Sequence, residues 1–464
     1  MVFSSLTFLY VFLPLSLLAH YIFRNNFVRN AGLTAFSLFF YAWGEPMWIF
    51  LLLFTSLFDY ACGLLIGRFR GSLKGSVFLW TGVLVNLALL IGFKYGAFLW
   101  DNLSLFFSMP FARPENTLPI GISFYTFQTI SYLVDVHRGD VQAQKNPVYF
   151  LLFVSLFHQL VAGPIVRYQT IAEEIEGRSV SWDLISSGIN RFCLGLFKKV
   201  ILANTAYELV SKYLETGFQN LSAPEAWFGI TMFSIQIYFD FSGYSDMAIG
   251  LGRLFGFHYE ENFRHPYAAI SVGDFYRRWH ISLGKFFRDY VYIPMGGNRK
   301  FQMRNIMVVW LLTGTWHGAS WNFVLWGFYF GCFMLLEKLL EDFLPRIPRI
   351  LRHSYTLLII VFSRAIFYFV DFERLKSFCI TLFTGGVRVG EGFITDLWEY
   401  SIWFVVVVLF CIPWNEIFLE NSKVSLRSSA GLKYFMPVIN LVFLLSSTVM
   451  LVDSTYNPFI YFRF

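Results

Sequence analysis

Residues 306–335 read IMVVWLLTGTWHGASWNFVLWGFYFGCFML and include no Asp, Glu, Lys or Arg. Crossing the hydrocarbon core of a bilayer takes roughly 20 apolar residues of helix, so this run is long enough to span a membrane. Near its middle stands His317, set among Gly314, Gly318, Trp316 and Trp321. A polar group inside lipid is costly and asks for a reason.

Working outward, further apolar runs occupy 3–23, 47–66, 76–99, 119–136, 147–163, 186–210, 227–251, 355–370, 398–416 and 434–452. Shorter ones at 31–43 and 377–386 suit re-entrant or steeply packed segments. Together they predict roughly 11 spans. Composition agrees. Of 464 residues, 56% are hydrophobic and 14% charged, where soluble domains carry about 25% charged. The 57 Phe, 25 Tyr and 14 Trp exceed what a soluble globule could bury, and they exclude disorder. The expected fold is an all-α polytopic membrane protein, a single transmembrane domain over 1–464. The opening MVFSSLTFLYVFLPLSLLAHYIF lacks a charged n-region and a cleavage site, and reads as a retained span rather than a signal peptide. Cys62, Cys193, Cys332, Cys379 and Cys411 form no CxxC or zinc spacing and read as buried hydrophobes. No internal repeat is visible, which argues against an inverted-repeat transporter.

The formal charge is +6. The stretch 261–304 holds Arg264, Arg277, Arg278, Lys285, Arg288, Arg299, Lys300 and Arg304 against Glu261, Asp274 and Asp289. A basic block between spans suits an anionic partner, either lipid headgroups or a phosphorylated ligand. Nucleic acid is a poor fit, because no soluble recognition module remains. The linkers 24–30, 68–74 and 137–145 are basic, while 44–46 and 100–118 are not. The positive-inside rule then puts the N-terminus outside the cytoplasm and the basic linkers inside, with 338–352 and 421–433 also cytoplasmic. The segment 257–304 is expected to be an amphipathic, cytoplasmic-side element.

Four clusters carry candidate chemistry. In LLTGTWHGASWNFVLWG (311–327), small residues let backbones approach, and Trp316 and Trp321 would wall a slot around His317. A neutral buried imidazole can take a proton from a hydroxyl. The other reading is a histidine hydrogen-bonded between packed helices. In DFYRRWHISLGKFFRDYVYIPMGG (274–297), Phe275, Trp279, Phe286 and Tyr290 repeat with helical period. That predicts either an interfacial helix with snorkelling bases or the floor of a site. As a floor, Arg277, Arg278, Lys285 and Arg288 would hold an acyl donor's phosphates and His280 would reach toward His317. In QIYFDFSGYSDMAIGLGRLFGF (236–257), Asp240 and Asp246 read as partners for nearby Arg or His, and Asp240 is a candidate to orient an imidazole. In LPIGISFYTFQTISYLVDVHRG (118–139), Ser123, Tyr125, Thr126, Gln128 and Ser131 form a polar stripe, suited to interhelical hydrogen bonds or to a tunnel wall.

These blocks, with the opening MVFSS and FLPL, LVAGPIVRY (160–168), NFRHPY (262–267) and the closing NPFIYFRF, occur together and in order. In that combination the chain resembles the membrane-bound O-acyltransferases (MBOAT), and within them the bacterial alginate O-acetyltransferase group. The resemblance implies a helical bundle around a central funnel. It implies His317 in WHG as the catalytic histidine and His280 in RRWH as the second, with Asn322 beside Trp316, Trp321 and Asp240 as tunnel or orienting residues. It implies no permanently bound cofactor and acetyl-CoA as acyl donor. The acetyl group would cross the bacterial plasma membrane for O-acetylation of an extracytoplasmic polysaccharide, alginate-like, cellulose or peptidoglycan. An SGNH-type extracytoplasmic partner would place it. Two alternatives stand beside this one: D-alanyl transfer to teichoic acid from a carrier protein, and a lipid or glycan transporter. The aromatic tail STYNPFIYFRF (454–464) is expected to pack back on the bundle, dock a partner or anchor at the interface, with Asn457 and Pro458 setting its turn.

Overall fold

The computed structural model describes the chain except residues 110, 116, 219–220, 415–429 and 454–464, and the side chains of 430–434 and 453. The aromatic tail and most of the basic loop 421–433 therefore lie outside the described residues. What is described is helices and turns, with one isolated antiparallel bridge between Phe263 and Trp279. The chain forms two compact units, Met1–Phe192 with Tyr244–Glu260, and Cys193–Gly243 with Glu261–Phe464.

In the first unit, Ile49–Arg68, Leu73–Leu90 and Ile122–Arg138 pack together. Their polarity is inverted relative to a soluble bundle. Thr55, Ser56 and Asp59 are buried, while Phe50, Phe54 and Leu57 face outward. That pattern fits a helix whose solvent is lipid and whose polar groups pair inside. Asn86 Nδ2 donates to Asp59 Oδ1 at 2.7 Å, and the Thr129 hydroxyl donates to Asn86 Oδ1 at 3.3 Å. The polar stripe of 118–139 is buried in this packing; Ser131 Oγ donates back to the Gln128 carbonyl at 2.7 Å, and the Tyr125 hydroxyl and Gln128 side-chain amide have no hydrogen-bond partner among the described residues. Asp246, at the start of this unit's second segment, pairs with Arg191 at 2.7 Å.

In the second unit, six helices matter for the site: α1 (Ala223–Leu254, of which residues to Gly243 belong here), α2 (Val272–Arg278), α3 (Ile281–Phe287), α4 (Gln302–His317), α5 (Trp321–Leu339) and α6 (Arg349–Tyr368). Two departures from the sequence reading decide the geometry. First, 306–335 is not one span. It breaks at Gly318–Ser320, and α4 and α5 form a hairpin. The cause is a glycine seam: a Cβ at Gly314 would run into the Phe323 carbonyl, and one at Gly327 into the Trp310 carbonyl. Two backbones approach this closely only where side chains vanish. Second, 274–297 is not one amphipathic helix. It breaks between α2 and α3 at His280, whose φ is 47°.

By length and composition, four helices can cross a membrane: Ile49–Arg68, Leu73–Leu103, Arg349–Tyr368 and Phe435–Val452. A bent pair, Glu391–Glu399 with Ser401–Cys411 at 61°, makes a fifth. Of the remaining apolar runs, 227–251 lies inside the 32-residue α1, and several others fold as shorter or interrupted helices. Leu156 divides 147–163, and a π-helical turn at Lys198–Ala203 interrupts 186–210. An apolar run marks burial, and inside a bundle a protein neighbour provides it as well as lipid does.

Candidate functional site

The break at His280 is built from both sides. Segment 262–264 lies antiparallel to 278–281: Arg264 N–H donates to the Arg278 carbonyl at 2.9 Å, and Ile281 N–H to the Asn262 carbonyl at 3.0 Å. These bonds hold His280 in the left-handed region, which costs a non-glycine residue roughly 1–2 kcal/mol and is found where surrounding structure imposes it. The imidazole is fixed too. Asn262 Oδ1 accepts from the Ser282 N–H at 3.2 Å and the Ser282 hydroxyl at 2.9 Å, and lies 3.2 Å from His280 Nδ1. Since the Ser282 N–H can only donate, that amide atom is the oxygen, and Nδ1 of His280 carries the hydrogen. Nε2 then holds the lone pair. Burial pushes this imidazole's pKa down to about 3, so it is neutral at physiological pH.

His317 is the last residue of α4 and is buried. Its ring packs on Trp326 (centroids 5.0 Å apart), Trp316 (5.1 Å) and Phe367 (5.3 Å). Trp316 also meets His280, at 5.8 Å.

His280 and His317 line the same cavity, of about 120 Å³. Its other walls include Tyr276, Trp279, Trp310 and Trp326. A second cavity of about 740 Å³ shares Val309 and Trp310 with it. Arg277, Arg278, Lys338 and Arg352 line the larger one, with Asp274, Glu337 and Glu341. Its floor is ordered by Glu337, which accepts the Val272 and Gly273 N–H groups at 2.6 and 2.9 Å at the start of α2. Asp274 holds Arg278 at 3.2 Å, and Lys338 pairs with Glu341. Among the described residues, no acid pairs with Arg352. A small apolar chamber bearing two imidazoles thus adjoins a cofactor-sized chamber with cationic walls.

The sequence profile of the MBOAT, membrane-bound O-acyltransferase family matches residues 142–382. The chain is 35% identical to the probable alginate O-acetylase AlgI of Pseudomonas putida over the full length of both. It is 41% identical to the protein of that name in Pseudomonas aeruginosa, across 79% of this chain and 72% of the relative. It is 35% identical to a peptidoglycan O-acetyltransferase of Helicobacter pylori, across 73% and 70%. The chain belongs to the membrane-bound O-acyltransferase family. Membership makes it a multi-pass membrane O-acyltransferase.

Within this family member, the residues named from sequence divide. His280 and His317 line the smaller cavity, and Arg277 and Arg278 line the larger cavity beside it. Trp316 touches both imidazole rings. Trp321 does not wall the slot. As the first residue of α5, after the Gly318–Ser320 break, it is 52% exposed. Asn322 is a buried clamp, its Nδ2 donating to the Ile366 and Phe367 carbonyls of α6 at 3.2 and 3.3 Å. The carboxylate of Asp240 pairs with Lys199 at 2.7 Å, both side chains buried. Lys285 and Arg288 line neither cavity, and Arg288 grips Asp289 at 2.6 Å. Sequence reasoning missed Asn262, Tyr276, Trp310, Trp326 and Arg352. Asn262 was legible only as part of NFRHPY, a block whose local purpose no periodicity discloses.

Proposed function

We propose that this O-acyltransferase takes an acetyl group from a cytoplasmic thioester, acetyl-CoA, and passes it across the membrane for O-acetylation of an extracytoplasmic polysaccharide. The observation that carries this reading is the size of the histidine cavity. About 120 Å³ is less than the roughly 150 Å³ that holds a benzene. That size suits a two-carbon acyl group better than a long chain.

The larger cavity receives the donor, with Arg277, Arg278, Lys338 and Arg352 facing its phosphates. The acyl end enters the small chamber past Val309 and Trp310. His317 takes the proton of an acceptor hydroxyl, whose oxygen attacks the carbonyl carbon. The carbon–sulfur bond breaks, and the leaving thiolate receives the proton from the imidazolium. His280, fixed as the Nδ1–H tautomer, offers Nε2 as a hydrogen-bond acceptor on a wall of the same cavity. The indoles exclude the water that would hydrolyse the thioester. The acceptor side fits the relatives named for alginate and peptidoglycan acetylation. An SGNH-type partner outside the cytoplasm would complete delivery, with the protein in the bacterial plasma membrane and its N-terminus outside. The D-alanyl alternative uses an equally small acyl group, but its carrier protein would need a broad docking face in place of a phosphate chamber.

The test is mass analysis of alkali-labile acetate on extracellular polysaccharide and peptidoglycan, with and without this gene. Acetate that depends on the gene supports the reading. Unchanged acetate with altered D-alanine on teichoic acid would replace it.

A further inference from the structure

Two walls of the histidine cavity carry hydrogen-bond donors that the fold does not use. Trp326 is 2% exposed, and its indole Nε1 has no acceptor among the described residues. The Tyr276 hydroxyl is likewise buried without a partner among them. The two rings meet edge-on, with centroids 6.3 Å apart. Both line the cavity that His280 and His317 share, and Trp326 is His317's ring neighbour at 5.0 Å. Buried donors are paired in the great majority of cases, because an unpaired one loses its hydration for nothing. Two on one wall point to a ligand oxygen.

A third observation gives that oxygen a charge. Arg364 on α6 is 2% exposed. Its guanidinium stacks over Trp279, a wall of the same cavity, at 4.6 Å. Its Nε and Nη2 have no hydrogen-bond partner among the described residues. In this chain the same guanidinium edge elsewhere grips a carboxylate: Arg113 Nε and Nη2 hold Asp101 at 2.6 and 2.8 Å. Tyr267 is within its hydrogen-bond reach, and that hydroxyl already donates to the Ser234 carbonyl at 2.5 Å. No acid among the described residues neutralises Arg364. A buried cation without a counter-ion is costly, and it stabilises negative charge that develops nearby.

We propose that Tyr276 and Trp326 form the oxyanion site of the acyl transfer, with Arg364 as a positioning residue that supplies positive field through the cavity wall. The proposal rests on the acyl-transfer reading above. As the acceptor oxygen attacks the carbonyl carbon, the carbonyl π pair moves to oxygen. That oxyanion accepts from Tyr276 Oη–H and Trp326 Nε1–H. When it collapses, the carbon–sulfur bond breaks and the thiolate leaves with the proton held by the imidazole. Donors fixed in a dry site act most strongly on charge that exists only in the transition state.

The experiment uses the full-length protein in proteoliposomes, with an acetyl thioester labelled with ¹³C at the carbonyl. Tyr276→Phe removes only a hydroxyl, and Trp326→Phe only the indole donor and some volume. Each should lower kcat by about 10²–10³-fold while leaving the donor KM within about twofold. Each should also move the bound carbonyl stretch to higher frequency in difference infrared spectra, a shift that a purely structural role would not give. Arg364→Met should lower kcat by roughly tenfold or more, and Arg364→Lys should recover most of it, as a charge effect requires. Should Trp326→Phe fail to fold, Tyr276→Phe decides alone. Wild-type kcat and an unmoved carbonyl band in Tyr276→Phe would overturn the proposal. His317→Gln separates the two claims: if it transfers acetyl normally, the underlying reading fails, whereas an inactive His317→Gln beside a fully active Tyr276→Phe removes only the oxyanion site.

Discussion

The amide oxygen of Asn262 lies 3.2 Å from Nδ1 of His280, across a two-stranded contact that also forces His280 to a φ of 47°. One side chain thereby sets the tautomer and the tilt of a buried imidazole. Asn262→Ala would strand His280 Nδ1–H and both Ser282 donors. We expect a loss of about 1–3 kcal/mol in stability and a fall in kcat of at least tenfold. Asn262→Asp, which keeps the acceptor, should retain the fold. Thermal melts in detergent and acetyl-transfer rates check both.

The neutral state of His280 makes the fold acid-sensitive. Its folded pKa is about 3, against an unfolded value near 6.5. Below pH 6.5 the unfolded chain binds a proton that the folded chain does not. Stability from this group is therefore complete above pH 6.5 and declines as pH falls toward 3. At pH 5 the decline is about 2 kcal/mol. His280→Asn, which has no such proton to take up, should lose less melting temperature than wild type between pH 7.5 and pH 5.

Charge reversal at Arg277 and Arg278 should act on the donor. Both line the larger cavity. Arg277→Glu with Arg278→Glu should raise the donor KM by about tenfold, most clearly at low salt, with kcat less affected. Arg352→Glu should do the same. Lys285→Glu and Arg288→Glu, which lie off both cavities, should leave the donor KM within about twofold. Initial-rate kinetics at two salt concentrations distinguish the sets.

Trp310 belongs to both cavities, so its indole limits how much acyl chain can enter. Trp310→Ala should admit a six-carbon acyl thioester that wild type refuses, and should slow acetyl transfer. A large-to-small change here costs about 3–5 kcal/mol, and Trp310→Leu offers a milder version. The ratio of kcat/KM for hexanoyl and acetyl donors is the readout.

Much of this was legible in residue order. Low charge, apolar runs and the ordered blocks around RRWH and TGTWHG led to a helical membrane acyltransferase and to His280 and His317. What could not be read has physical causes. Apolarity runs unbroken through 306–335, so only the small residues Gly318, Ala319 and Ser320 hint at the hairpin. The helical period of 274–297 survives a break because Phe275 and Trp279 still stack, with centroids 5.4 Å apart, through the end of α2. The partner of Asp240, Lys199, stands far off in sequence within an apolar run, where no spacing links the two. Trp321 changed sides because a helix start resets the direction of every side chain after it.

Acetyl transfer by this protein turns most on His317 as the base in a chamber sized for acetyl. The direct measurement is single-turnover acetyl transfer from labelled acetyl thioester by wild type and His317→Gln in proteoliposomes, at matched protein and matched melting temperature. The expected result is a loss of at least 10²-fold in the transfer rate, with donor affinity unchanged. Transfer by His317→Gln at the wild-type rate would contradict it.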